Sequence, residues 1–548
     1  MNEGMPWRPG AGLVSGTLTG VAVAVLCAAL IAAGQAGLDA KTAAASLGAG
    51  FLTGIAAGWR SRDRNSPAFT PWDWLLMSIW ALASIRAFMW VLYSVGGEWR
   101  VLSPHNLGDI SLHIHLIRYF AGGASFWPES PILSGVQLTY PPGADLFNSL
   151  LLLAGIPAER GLVWAGLAGA AMCGWALWRW GGAFAMAAFL FNGGLAGFAF
   201  FQSGSIDDFQ SAEAWKNVFL TMLIPQRGLL FAIPCGLLLL MSWRDEYFRS
   251  GTGIPVILRW LLYSVMPLFN LHAFIFLSLS LACFFLFASG SRAKVLFFTL
   301  STVVPASIAV FLVTDGLGAA GGLHWNPGWM QEQGGAMFWF WNFGISLPLG
   351  ILLIWQGLVR GDAEARAFTL LSIGVFILCS LVSFATWEWD NTKLILWAWI
   401  AAAPYVWSRV IFPWPALARA AVCVTLFFSG AVSLAGGLDG RHGYKLIDRS
   451  ELDQMRKLLS NVPQGSRLAV HPEYNHPAIL LGYPVVCGYE GHLWSHGLDY
   501  KETLKTLNEV LEKSPGWLEK ASHIKAAWIV FPGATPLIIE VPPANAEN

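Results

Sequence analysis

One kind of segment constrains this chain more than any other. Runs of roughly 20 apolar residues recur along most of it. Wound as a helix, such a run matches the ~30 Å hydrocarbon core of a bilayer. In lipid every backbone N–H and C=O needs an internal partner, which leaves helices and closed barrels as the spanning structures. The expected fold class is an all-α polytopic membrane protein with about thirteen spans. They fall at 13–34, 42–59, 72–95, 161–178, 183–201, 218–242, 255–270, 271–288, 295–313, 338–357, 367–386, 394–408 and 412–437. The apolar piece 144–156 is too short to span and reads as re-entrant or interfacial. Charge supports this class: 12% of the residues are charged, against about 25% in soluble domains.

Basic residues set the orientation through the positive-inside rule. With the N-terminus in the cytoplasm and its first span uncleaved, the inner turns hold Arg60, Arg62 and Arg64; Arg179; Arg244 and Arg249; Arg292 and Lys294; Arg360 and Arg366; and Arg409. The outer segments are then the 97–160 loop, 202–217, 314–337 and 387–393, followed by a C-terminal piece. Three parts are expected: a two-helix extension at 1–71, a membrane core at 72–438, and a small extracytoplasmic α/β domain at 439–548. In the last, RLAVH and AAWIVF read as strands and YKETLKTLNEVLEK as a helix. Six of the seven cysteines sit in apolar runs and only Cys487 lies elsewhere, so no disulfide framework is visible. Net charge is zero, which gives no field for nucleic acid.

The polar motifs cluster on the outer side. HNLGDISLHIHLIRYF carries Asp109, which reads either as the cap of a helix starting at Ser111 or as a catalytic base. Ser111, His115 and Arg118 share one helical face, and His113 lies off it. YPPGADLFNS fixes a turn through its prolines and Gly143. IDDF places Asp207 and Asp208 together, suited to a divalent metal or a sugar hydroxyl, with Glu213 nearby. Arg227 in PQRG is a candidate phosphate clamp. His272 in FNLHAF lies between two apolar segments, where packing and function both remain open. TWEWDNTKL groups Glu388, Asp390 and Lys393 between tryptophans that fit an interface belt or sugar stacking. Seven Trp or Phe residues crowd 325–343 and read mainly as an aromatic girdle.

An acidic residue opening the first large outer loop, a YPP turn, a second acidic motif two spans later and a C-terminal domain together resemble the GT-C class of membrane glycosyltransferases. The nearest likeness is to bacterial members related to protein O-mannosyltransferases and aminoarabinose transferases, the family 39 type. The architectural resemblance covers about 72–438. The stretch HPEYNHPAILLGYPVVCGYEGHLWSHGLDY is similar to the tail of such proteins. The resemblance implies a polyprenyl-phosphate sugar donor, a protein or glycolipid acceptor, and inverting transfer at the outer face of a bacterial inner membrane. It implies Asp109 as base and places the second acidic motif on Asp207 and Asp208. Where many relatives carry a second acid after the first, this chain has Ile110. The expected substrate-binding residues are His113, Arg118, Tyr140, Asp207, Asp208, Arg227, His272, Glu388, Asp390 and Lys393. A divalent metal, Mg or Mn, is a candidate cofactor, with Asp109, Asp207 and Asp208 as candidate ligands. A transporter or a lipid or glycolipid flippase is the rival class, since it shares span count and intramembrane charge. A third class is a receptor or scaffold working through 439–548. The first two separate on whether Asp109, Asp207 and Asp390 meet in one cavity, with His272 at its wall.

Overall fold

Helices α1 (Ala11–Gly34) and α2 (Ala40–Arg60) form a hairpin whose contact is made of glycine. A Cβ added to Gly16 would stand 2.6 Å from the Gly54 carbonyl oxygen, one on Gly20 2.8 Å from that of Gly50, and one on Gly58 2.7 Å from that of Gly12. Lipid supplies no hydrophobic drive between helices, so small residues at a spacing of four let the two backbones touch instead. The hairpin turn closes on a reciprocal cap. The Asp39 carboxylate accepts from Thr42 N at 2.8 Å, and Thr42 Oγ1 accepts from Asp39 N at 2.8 Å.

The computed structural model describes residues 11–35, 37–61, 69–316, 323–332, 334–440, 443–531, 533 and 536–542. Arg62 and Arg64 of the first inner turn, the N-terminal ten residues, the C-terminal 543–548 and the glycine-rich part of segment 314–337 lie outside the described residues.

α3 (Pro71–Met89) stops before its expected end. The chain instead makes a hairpin of β1 (Tyr93–Val95) and β2 (Glu98–Val101), turning on Gly96 and Gly97 at φ +61 and +84, angles only glycine adopts freely. α4 (Leu107–Ala121) follows. α5 (Gly143–Leu153) has 11 residues, about 16 Å of helix, half the ~30 Å core; it packs beside α4 and does not cross.

α6 (Ala158–Leu190) joins two expected spans across Gly181 and Gly182, both non-helical, the second at φ +64. It ends at Leu190, not near 201. The irregular chain beyond holds the short α7 (Phe200–Ser203) and 3-10 turns at Ala196–Ala199 and Gln210–Ala212, and side chains satisfy its backbone. Asn217 Nδ2 donates to the Leu190 and Asn192 carbonyls at 2.7 and 3.2 Å. Asn192 Oδ1 accepts from Val218 N at 2.8 Å. Glu213 Oε1 accepts from Ala196 N at 2.7 Å, and Ser429 Oγ from Gly197 N at 2.8 Å. Non-helical backbone at membrane depth persists only with such partners.

A π-helical turn, Phe219–Leu223, leads to α8 (Leu229–Phe248). The expected span 255–270 is two pieces, α9 (Val256–Ser264) and α10 (Met266–Phe269). α11 (Leu271–Phe287) starts at Asn270, whose side chain accepts from Ala273 N at 2.8 Å. α12 (Arg292–Val313) precedes β3 (Leu323–Trp325). α13 (Ala336–Phe343) and α14 (Ser346–Leu353) replace one straight span with a 92° bend. α15 (Ala363–Leu381) runs into β4 (Val382–Phe384), antiparallel to β3. α16 (Thr392–Tyr405) and α17 (Ala416–Gly437) complete the bundle.

The chain is a multi-pass membrane protein. Among the described residues six helices are long and apolar enough to cross a membrane, or seven with the bent pair counted as one span. Among the described residues several of the thirteen expected spans are interrupted. The apolar runs are there, but glycine breaks and π-turns cut several of them into shorter pieces.

After α17, β5 (Tyr444–Asp448) pairs with β2, so the first loop and the C-terminal region share the sheet β1-β2-β5. α18 (Arg449–Leu458), β6 (Leu468–Ala469), α19 (Pro477–Leu480), α20 (Glu490–Ser495), α21 (Lys501–Leu511), α22 (Trp517–His523), β7 (Trp528–Phe531) and β8 (Leu537–Glu540) follow. β7 lies parallel to β6 and antiparallel to β8. The region sits directly on α4: His115 Nε2 meets the Tyr483 carbonyl at 2.8 Å, and Arg118 Nη1 donates to the Leu480 carbonyl at 2.6 Å.

Candidate active site

α4 divides its polar residues between two faces. Ser111, His115 and Arg118 are taken up structurally: Ser111 Oγ donates to the Leu107 carbonyl at 3.0 Å, and the other two hold the C-terminal region. Asp109 and Leu112 face a cavity of about 580 Å³. The helix begins at Leu107, not Ser111, so Asp109 stands inside the first turn and is not its cap. No hydrogen bond to its carboxylate is found among the described residues. Burial raises its proton affinity above the ordinary carboxylate value and Asp390 adds to this, against His113, Lys393 and His105. Each of these four groups therefore acts on the Asp109 carboxylate.

The 387–393 segment forms the second wall. Asn391 folds it, its Oδ1 accepting from Phe384 N at 2.9 Å and its Nδ2 donating to the Cys379 and Val382 carbonyls at 2.9 and 2.7 Å. Trp389 Nε1 anchors it to the Ala214 carbonyl at 3.0 Å. This presents Asp390 and Lys393 to the cavity as an ion pair of 2.8 Å. Trp387 and Trp389 lie beside them, ring centres 5.0 Å apart.

Glu213, Lys216 and His272 also line the cavity. Glu213 is 3% exposed. Burial pushes its carboxyl up to about 7, although the backbone N–H groups of residues 194–196 oppose the shift. Tyr140 enters from the YPP turn, which Gly143 seats against the Leu268 carbonyl, 2.8 Å from where a Cβ would stand. Burial raises the Tyr140 hydroxyl well above its usual range, with Asp145, Asp109 and Asp390 adding to it.

Of the expected catalytic and substrate-binding residues, Asp109, Tyr140, His272, Asp390 and Lys393 line this one cavity. The others do not. His113 is 2% exposed and saturated, its Nδ1 on Asp145 at 2.8 Å and its Nε2 on the Pro225 carbonyl at 3.1 Å. Arg118 pairs with Glu159 at 3.0 Å. Arg227 is 2% exposed, donates to the Leu162 and Ile224 carbonyls and does not line the cavity. Glu388 contributes its carbonyl to Trp329 Nε1 at 3.0 Å. Asp207 accepts from Asp208 N at 2.8 Å and packs on Gly436. Asp208 touches the rim only through His105, 3.6 Å away. Burial would raise its carboxyl, but hydrogen bonds from His105 and Gln210 outweigh it and lower the value.

The three candidate metal ligands are thus not gathered. Among the described residues no three His, Cys, Asp or Glu side chains are grouped to hold a metal ion. The donor set does not fit the metal considered from the sequence, and no step below is routed through one.

Sequence reasoning passed over His105, Lys216, His492 and His496, which all line the cavity. The signal for the last two was present: histidines four apart in GHLWSH share one helical face. A second, almost wholly apolar cavity of about 480 Å³ runs between α13, α14, α15 and α16, from Trp215 and Trp339 to Val406. Ala214 lines the first cavity and Trp215 the second, so the two are neighbours in the chain.

No protein-family model and no curated protein sequence matches the chain. Among solved structures it is similar to the arabinofuranosyltransferase AftD from Mycobacteria, with TM-score 0.47 and 16% identity over 85% of this chain and 37% of that one. It is also similar to an Archaeoglobus fulgidus oligosaccharyltransferase tethered with an acceptor peptide, with TM-score 0.46 and 12% identity over 84% of this chain and 69% of that one. The chain therefore spans little more than a third of the length of AftD.

Proposed function

We propose that this chain is a membrane glycosyltransferase that moves a sugar from a polyprenyl-phosphate donor to an acceptor hydroxyl, at the extracytoplasmic face of a bacterial inner membrane. One observation carries the reading. A cavity lined by the Asp109 carboxylate, an ammonium group and aromatic rings stands next to an apolar groove between α13, α14, α15 and α16. A lipid-linked sugar has this same division, a saccharide and phosphate on a long apolar tail.

In the proposed reaction the acceptor oxygen attacks the anomeric carbon as the bond from that carbon to the lipid-phosphate oxygen breaks. Asp109 accepts the hydroxyl proton; burial, by raising its proton affinity, makes it a stronger base than an ordinary carboxylate. The bonding pair leaves with the lipid phosphate. Lys393, held by Asp390, faces the new charge, and Lys216 is the second cation of the cavity. A single displacement of this kind inverts the anomeric centre. The polyprenyl tail lies along the groove from Trp215 toward Val406.

The test is native mass spectrometry of the protein extracted from bacterial membranes, followed by incubation with a panel of polyprenyl-phosphate sugars. A co-purifying polyprenyl phosphate and conversion of one donor are expected. Movement of such a lipid between leaflets without cleavage of its sugar would replace transfer with the flippase reading.

A further inference from the structure

The C-terminal region enters the cavity at the end of α20 and brings no charge there. His496 directly follows α20, and its ring stacks on Tyr140 with centres 5.4 Å apart and planes 29° apart. His492, one turn earlier, lies beside Gly108, where a Cβ would come within 3.1 Å of Nε2. Gly497, at φ +69, seats this end against Thr386, whose Oγ1 lies 2.7 Å from where a Cβ would stand. Trp494 meets Trp387 at 6.2 Å. The first loop, the 386–387 turn and the C-terminal region thus converge on one wall.

The chemistry of that wall is specific. Burial pulls His496 down to about 4 and His492, with His496 adding to the effect, to about 3. Both imidazoles are neutral at pH 7. A neutral imidazole carries one N–H donor and one bare nitrogen acceptor. Among the described residues no hydrogen bond reaches either ring nitrogen of His496, although it lines a polar cavity. A hydroxyl is likewise both donor and acceptor, and an aromatic ring offers apolar area to the C–H face of a sugar. A phosphate calls for cations, and neither lysine lining the cavity belongs to the C-terminal region. The apolar groove is lined by residue 215 and by residues between 339 and 406, with none from the first loop or from 490–497. The His496 wall therefore contributes nothing to the lining of the apolar groove.

Resting on the glycosyl-transfer reading above, we propose that Tyr140 and His496 form the acceptor subsite and that the acceptor is a saccharide ring rather than a peptide side chain. His496 then contacts substrate directly, and α20 is part of the active site.

The experiment uses the full chain in lipid nanodiscs and saturation-transfer NMR. The probes are methyl hexopyranosides, methyl pentofuranosides and a blocked serine peptide. At least one glycoside receives saturation and the peptide does not. His496→Ala weakens that glycoside roughly tenfold, the cost of leaving sugar hydroxyls unpaired, whereas His496→Gln, which keeps a donor and an acceptor, stays within about threefold. Thermal unfolding accompanies each variant, and if His496→Ala fails to fold, His496→Phe, with the ring but no polar atoms, takes its place. Peptide binding, no glycoside binding, or glycoside binding indifferent to loss of the imidazole overturns the proposal. The two readings fail separately. Glycoside binding through His496 without donor turnover removes transfer and keeps the saccharide subsite. Transfer whose acceptor KM ignores His496→Ala removes the subsite and keeps transfer.

Discussion

Glu213 shows how a single residue serves both the fold and the cavity. Its carboxyl satisfies backbone N–H groups of a broken span while sitting almost wholly buried. Raised from 4.5 to about 7, it holds its proton more tightly in the folded than in the unfolded chain. The stability this contributes is complete below about 4.5 and is lost as pH rises through about 7. Thermal unfolding followed by tryptophan fluorescence should show stability falling between about pH 5 and about pH 8, and Glu213→Gln should remove that component. An unchanged slope in the variant would assign the fall to other groups. Lys393 makes a different prediction. Lys393→Gln removes the cation from the leaving phosphate and leaves Asp390 beside it, so kcat should fall by roughly 10²–10³ with little change in unfolding temperature. A change confined to stability would make the ion pair structural.

At the scale of elements, the glycine ladder between α1 and α2 gives the sharpest contrast. Gly50→Ala puts a methyl group 2.4 Å from the Gly20 carbonyl oxygen and should destabilise the protein, by about 1–3 kcal/mol as overpacking does. Gly48→Ala, on the same helix, meets nothing within 4 Å and should stabilise it by up to about 1 kcal/mol through helix propensity. Detergent-resistant unfolding temperatures that move the same way for both would contradict this packing. Helix α4 explains much of what the sequence concealed. Its polar residues are dense enough that composition marks the whole segment, but the direction of each depends on partners far away in sequence. His113 points to Asp145 and Arg118 to the C-terminal region, and neither partner is visible from local spacing.

At the scale of the molecule, membrane class, the shortness of α5 and the strands and helix of the C-terminal region were legible, because period and run length encode them. The number of spans was not. Hydropathy marks apolar runs but is blind to whether a run such as 183–201 stays helical, which here depends on Asn192, Asn217 and Glu213. The convergence of Asp109, Asp390, Lys393 and His272 followed from their shared side of the chain. Asp207 and Arg227 lie off this cavity, since adjacency and charge alone do not say which way a side chain faces. Topology is open to direct test. The distribution of arginine and lysine in the sequence predicts an extracytoplasmic C-terminal region, so a reporter fused after residue 438 should be active only in the extracytoplasmic compartment; cytoplasmic activity would invert the orientation.

The central claim is that Asp109 is the base of a glycosyl transfer. Turnover of Asp109→Asn and Asp109→Ala by purified protein, with the donor found by screening, tests it most directly. Both variants should lose about 10²–10⁴-fold in kcat, while unfolding temperatures stay close to the parent, since α4 does not depend on Asp109 as its cap. Full turnover by Asp109→Asn, which keeps the shape of the side chain and removes only the proton acceptor, would contradict the account.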